Sequence, residues 1–275
     1  MGILRWTVIV ALLAWRNVAD AFFEGAGAVV SRSASRGVQV AVDAACDLTT
    51  VEALAVRHPD VDQVVVMATD DFGATSGTVS VAARAGSGWG CQTDELSARF
   101  GRNGSRPLVQ RVSGDGTTPA GVFPLGVVTA WDGEVFSLFG NQPDPGALAS
   151  YRDVRPEDCW GATRNTPRYQ HLVDLPGCPG PEDEWLSGYG DVYAHAAVIG
   201  ANLDPISGDE PGEVPYAAAI FLHRHSYLSS GDAKSTSGCV SLAHDDLVEV
   251  LRLLDPRLEP HFAIGPVGWL RSPGS

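Results

Sequence analysis

The sequence predicts a mainly β domain. Three observations carry this: a short apolar run, "DQVVVMATD" at residues 62–70; a period-two alternation of apolar and small polar residues in "GTVSVAARA", Gly77 to Ala85; and glycine and proline punctuation between such segments. Several short strands separated by frequent turn signals make a β architecture with few helices.

Taken in order, the chain opens with an apolar run, "WTVIVALLAW" from Trp6 to Trp15, preceded by Arg5. It has the length of a signal-peptide core and is too short to span a bilayer comfortably. Ala19-Asp20-Ala21 and Ala26-Gly27-Ala28 have the small-x-small form of cleavage sites. Residues 1–28 are therefore read as a signal peptide of an exported protein, the alternative being a buried N-terminal helix. Ser31 to Gly37 reads as a polar linker within an N-terminal segment, 29–59, and the main domain covers 60–268. There, Gly86-Ser87-Gly88 makes a turn, Trp89 begins a strand, and "GDGTTPAGVFPLGVV" (Gly114 to Val128) is a loop leading into another. Trp131 to Asp191 is long, proline-rich and irregular, and is read as a disulfide-pinned insertion over a cleft, or else as a surface excursion. Asp191–Asn202 and Tyr216–His225 follow as buried strands. One clear helix comes next: Leu247, Val250, Leu251 and Leu254 recur at helical spacing, Asp245 and Asp246 put negative charge at its start, and Pro256 ends it. "HFAIGP" (His261 to Pro266) is the last strand.

A net charge of −14 and a pI near 4.7, with no basic stripe, argue against a nucleic-acid partner. The chain has five cysteines. In an oxidising compartment that means two pairs and one remaining thiol. Cys159 and Cys178 bracket a loop-like segment and are natural partners; Cys46 with Cys91 would close the N-terminal region and leave Cys239 free. Five reduced thiols are the alternative.

Cys239 sits in "STSGCVSL", framed by small hydroxyl residues and Gly238. A cysteine attacks a carbonyl as thiolate, so it needs a base, and His223, at the end of the apolar "AIFLH", is the candidate. Such a thiol is expected to react with thiol reagents well below pH 8. The Gly238 and Cys239 amides are candidate oxyanion donors. His225 competes as base, and with His223 forms an H-x-H pair that lacks a third ligand at telling spacing, so no metal is expected. His195 is read as a satisfied strand histidine, Tyr193 as a core residue able to offer its hydroxyl to substrate, and Thr118 and Pro119 as shaping a turn beside the cleft.

"GDGTTPAGVF", "AAAIFLH" and "STSGCVSL", in that order, resemble the L,D-transpeptidases of the YkuD family. The chain is most similar to an exported actinobacterial branch: "SARFGRNG" (Ser97 to Gly104), Asp255-Pro256 and Ile264-Gly265-Pro266 match that branch's further motifs. The likeness runs from about Val61 to Pro266.

The resemblance implies a β-sandwich whose cysteine is acylated by a peptidoglycan stem peptide. The thiolate attacks the carbonyl of the third residue, a diamino acid, and expels D-alanine; a side-chain amine of a neighbouring stem then takes the acyl group, giving a 3→3 cross-link. Cys239 matches the nucleophile, His223 the base, and Arg224 the residue whose carbonyl orients that base. Donor and acceptor stems are the implied partners, carbapenems the implied inhibitors, and no cofactor is implied. Where the commoner pattern reads His-Gly-Cys-x-Asn, this chain has Ser237 and Ser241 as the flanking, pocket-lining residues. A carboxypeptidase using the same site, or an inert wall-binding module, are the alternatives.

Overall fold

The computed structural model describes residues 44–174, 178, 180–203 and 216–273. The expected signal peptide and the 31–37 linker lie outside the described residues. Along the chain come α1 (Leu48–Arg57), β1 (Gln63–Thr69), β2 (Ser76–Ala85), β3 (Gly88–Cys91), β4 (Leu96–Arg99), β5 (Ser105–Pro107) and β6 (Thr118–Pro124). A small hairpin, β7 (Val128–Thr129) with β8 (Val135–Phe136), leads to β9 (Leu138–Gly140) and β10 (Tyr151–Asp153). A separate three-stranded sheet follows, made of β11 (Asp158–Trp160), β12 (Leu172–Asp174) and β13 (Glu184–Trp185). The chain then returns through β14 (Ala196–Val198), β15 (Phe221–Arg224), β16 (Val240–Leu242), α2 (His244–Leu253), β17 (His261–Pro266) and α3 (Val267–Leu270).

The protein is mainly β, built on one large mixed sheet in the order β10-β9-β14-β15-β16-β4-β2-β1-β17-β6-β5, with β3 attached to β2. All seven residues of β1 are buried, which is why its sequence is a continuous apolar run rather than an alternation. The sheet curls: Leu125, just past β6, bridges to Ile199, just past β14. Val65, Val81, Leu222, Val240 and Phe262 from its different strands thereby share one core, which Leu247, Val250 and Leu251 of α2 and Leu254 just past it complete.

Alternation along the central strands sends the other set of side chains to the opposite face. There Phe139, Ala196, Phe221 and Cys239 meet Trp160, Leu172, Leu186 and Tyr193 in a second apolar layer. Edge-to-face ring contacts, Trp160 with Phe221 at 4.9 Å and Phe139 with Phe221 at 5.0 Å, organise this layer. The described residues of the 131–191 segment thus form a packed cover rather than a surface excursion. Largely irregular, the segment carries strands β8 to β13 of two or three residues each, too short to leave a period in the sequence. Buried Arg152 anchors it through a two-point pair with Asp158, at 2.7 and 3.0 Å, and through Asp132 and Glu134.

Two other boundaries differ from expectation. The strand predicted over 191–202 is reduced to β14, because Leu186–Tyr193 forms a 3-10 segment. The one predicted over 216–225 is reduced to β15; Ala219 adopts φ 51°, which no strand accommodates. Unforeseen α1 is capped by Asp47, whose carboxylate accepts from the Thr50 amide, and it buries Val51 and Leu54. Among the described residues no helix is long and apolar enough to cross a membrane.

Cys46 is bonded to Cys91 and Cys159 to Cys178, and Cys239 is free. The first bond ties α1 to β3 across 45 residues, and the second closes the cover across 19. Unfolded, non-reduced protein is expected to titrate one thiol per chain, and removing the first bond by a C46S/C91S double substitution should cost about 4 kcal/mol in denaturant unfolding. Three or more titratable thiols, or an unchanged unfolding midpoint, would contradict this pairing.

Candidate active site

Three sequence motifs far apart in the chain meet around Cys239. Gly101 of "GRNG" packs against the "GDGTT" loop so closely that a Cβ there would lie 2.4 Å from the Gly116 carbonyl oxygen. The Gly101 amide donates to the Thr118 hydroxyl at 2.8 Å, and that hydroxyl donates to the Cys239 carbonyl at 3.3 Å. The Thr236 hydroxyl reaches the same carbonyl at 2.6 Å. Thr236 also bridges to Gly101, and its amide donates to Phe100. The backbone that carries the thiol is therefore held from both flanking loops.

Gly238 has φ 154°, and a side chain there would sit 3.1 Å from the Thr117 carbonyl oxygen. Its amide donates to the Thr236 hydroxyl at 3.1 Å, so that N–H is engaged within the loop. Beneath it lies buried Arg111, which donates to the Thr117 carbonyl at 2.8 Å, the Thr117 hydroxyl at 3.2 Å and the Tyr216 carbonyl at 2.6 Å.

The positions of His223 and Cys239 are set by register. β15 and β16 pair in parallel, Leu222 opposite Val240 and His223 opposite Ser241. His223 and Ser241 hence share a face, and Cys239, two residues before Ser241, projects to the same side. His223 donates from Nδ1 to the Arg224 carbonyl at 2.7 Å, leaving Nε2 unprotonated and able to accept a proton. Tyr193 packs edge-on against the ring at 5.6 Å. The Arg224 side chain is turned away to Asp191, at 2.8 Å.

At rest the Cys239 thiol donates to the Ala219 carbonyl at 3.3 Å and accepts from the Phe221 amide at 3.4 Å. Ala219, in its left-handed conformation, is held by Gln170 Oε1 at 3.1 Å from its amide. Burial, reinforced by the charge of Glu184, pushes the thiol up to about 12, while the Phe221 amide and Arg111 pull the other way. Burial lowers His223 to about 4, against the opposing pull of the Arg224 carbonyl. The signs agree: the raised thiol and the lowered imidazole are both neutral at pH 7. Burial therefore works against the low thiol pKa expected from the sequence and favours a neutral resting pair.

Cys239 opens onto two clefts. One, of about 360 Å³, runs past Arg102, Arg111, Gly114 and Ile220. The other, of about 270 Å³, is lined by His223, Tyr189, Tyr193, Lys234 and Ser241. Glu184 and Ser237 line both, with Cys239 between them. Ser237 accepts a hydrogen bond from Arg102 at 3.1 Å, and Ser241 is held by His225 Nδ1 at 2.9 Å. His225 is thereby tied to Ser241 and does not line either cleft. His195, on the other face, is bonded to the Tyr151 hydroxyl at 2.9 Å. Tyr193 is buried, and its hydroxyl is committed to Glu184.

Sequence reasoning missed three contributors, Glu184, Arg111 and Gln170. Glu184 sits in the acidic run "PEDEW", which has the pattern of a solvated loop. Arg111 and Gln170 occupy non-periodic segments, and nothing local signals that they are buried. Among the described residues no group of three His, Cys, Asp or Glu is disposed to hold a metal ion. No protein-family model matches this chain, and no curated protein matches it significantly.

The neutral resting pair predicts a pH profile. Alkylation of Cys239 by iodoacetamide in the folded protein should be slow at pH 7 and climb about tenfold per pH unit to pH 10, as the thiolate fraction does below its pKa. A plateau by pH 8 would mean an ionised thiol and overturn that assignment.

Proposed function

We propose that the protein is an exported cysteine acyltransferase, an L,D-transpeptidase acting on peptidoglycan stem peptides. The observation that carries the reading is the register that puts Cys239 and His223 on one face of adjacent strands, with the His223 tautomer fixed by the Arg224 carbonyl. The motif resemblance points to the same pair and names the substrate class. The two disulfides accord with an oxidising compartment.

In the proposed reaction the thiol leaves the Ala219 carbonyl and gives its proton to His223 Nε2 as sulfur attacks the donor carbonyl. Because both partners are neutral at rest, proton transfer accompanies attack. The imidazolium then protonates the departing D-alanine amine. The larger cleft suits the donor's terminal carboxylate, since Arg102 is exposed there beside Ser237. The smaller cleft, on the His223 side, suits the acceptor. Two openings onto one thiol are what a two-substrate transfer requires, because acceptor must approach while donor remains attached.

Intact-mass measurement after incubation with a carbapenem should show an adduct on the wild type and none on Cys239→Ala. His223→Gln should slow adduct formation by about 10²–10⁴-fold, the usual contribution of a positioned base. An unmodified wild type with its fold intact would sink the enzymatic reading, and an adduct retained on Cys239→Ala would move the nucleophile elsewhere.

A further inference from the structure

The cover segment does more than bury Phe221. Its strand β13 pairs with β11, Glu184 opposite Trp160, and the Cys159–Cys178 bond pins the same sheet. This places a carboxyl where both clefts meet at the nucleophile. We propose that Glu184 binds the amine of the acyl acceptor and takes its first proton, making it an acceptor-side catalytic residue supplied by the cover. The inference rests on the acyl-transfer reading above.

A carboxylate lining both clefts beside the thiol suits a cationic occupant such as an ammonium group. Glu184 lines both clefts, and its Oε2 accepts from the buried Tyr193 hydroxyl, one of the several hydrogen bonds a carboxylate can accept. Neighbouring charges on its own segment are paired off: Glu182 with Arg164 at 3.3 Å and Asp183 with Arg168 at 2.8 Å. The titratable groups facing it are Tyr189, Tyr193, Cys239 and His223; burial raises the first three and lowers the histidine, so all four are neutral at pH 7. The cations lining the clefts beside it are Arg102, Arg111 and Lys234, and Arg111 is committed to Asp115, Thr117 and Tyr216. Burial raises Glu184 to about 7, against the opposing Tyr193 bond, so the carboxyl exchanges a proton near neutrality.

The acceptor arrives as an ammonium and gives one proton to the Glu184 carboxylate. The free amine attacks the thioester carbonyl, forming the C–N bond. As the C–S bond breaks, a second nitrogen proton passes to His223 Nε2 and from there to sulfur. Amide and thiol result, and Glu184 returns its proton to water.

The test is the partition of the acyl-enzyme between amide formation and hydrolysis. The donor is a stem tetrapeptide with a diamino acid at its third position, and the acceptor is Nα-acetyl-lysine. In Glu184→Gln, the amide-to-hydrolysis ratio at pH 7 should fall at least tenfold; this ratio is read after acyl-enzyme formation, whose rate should be equal or faster once the charge that raises the Cys239 thiol is gone. The deficit should close toward pH 9.5, where the free fraction of an amine of pKa ~10.4 is roughly 300-fold larger. Tyr193→Phe keeps the carboxylate but removes the bond that holds its pKa down, so its amide formation should reach half-maximum at higher pH than in wild type. An unchanged ratio in Glu184→Gln, or equal losses in acylation and transfer, would overturn the proposal. If Glu184→Gln does not fold, an unshifted profile in Tyr193→Phe would do so. A wild type that forms no acyl-enzyme would instead bring down the acyl-transfer reading itself.

Discussion

Everything at the site depends on one parallel pairing, β15 against β16, with His223 opposite Ser241. A strand has two faces, and a slip of one residue would exchange them. Leu222, Val240 and Leu242 would then leave the main core, and His223 and Cys239 would enter it. The cost of exposing those apolar side chains, about 2 kcal/mol each, locks the register and so locks the imidazole and thiol to one side. The core that fixes the fold also fixes how these two side chains are placed.

A parallel pair needs a long connection. Between β15 and β16 the chain makes a polar excursion, with Tyr227 bridging Ala233, and then must deliver Cys239 at the right depth. Delivery is the work of glycine contacts and hydroxyls. Gly101 against Gly116, and Gly238 against Thr117, let three loops approach at backbone distance. Thr118 and Thr236 then occupy the Cys239 carbonyl from two sides. Small residues appear in all three motifs for this reason, and a hydrogen bond buried in such a contact is costly to lose because its partner is left unsatisfied.

Much of the fold was legible in the sequence where elements are long or strongly patterned. β1 read as a buried run, β2 as an alternation, α2 as a helical stripe with acidic start, and β17 as a short apolar strand. The disulfide pairs followed from counting and spacing, although counting alone left other pairings open. The cover was harder, because β11, β12 and β13 are held by pairing and by a bond across 19 residues rather than by local preference. At the site, small-residue framing and an apolar strand ending in histidine are local signals that singled out Cys239 and His223, whereas Arg224 came only from the family resemblance. Glu184 was not, since its surroundings come from residues nine to fifty-five positions away in sequence, from Tyr193 to Cys239. The electrostatics also reverse an expectation: a cysteine framed by small residues is open to substrate, yet this one is neutral because the cover dries its surroundings.

The most direct test of the central claim uses the natural class of donor. Purified protein incubated with a stem tetrapeptide alone, quenched in acid and measured as intact mass, should carry a tripeptidyl thioester on Cys239, with one equivalent of D-alanine released. Dimeric peptide should then accumulate with time. Unmodified protein and an unconsumed tetrapeptide, from a chain that remains folded with both disulfides intact, would contradict the account.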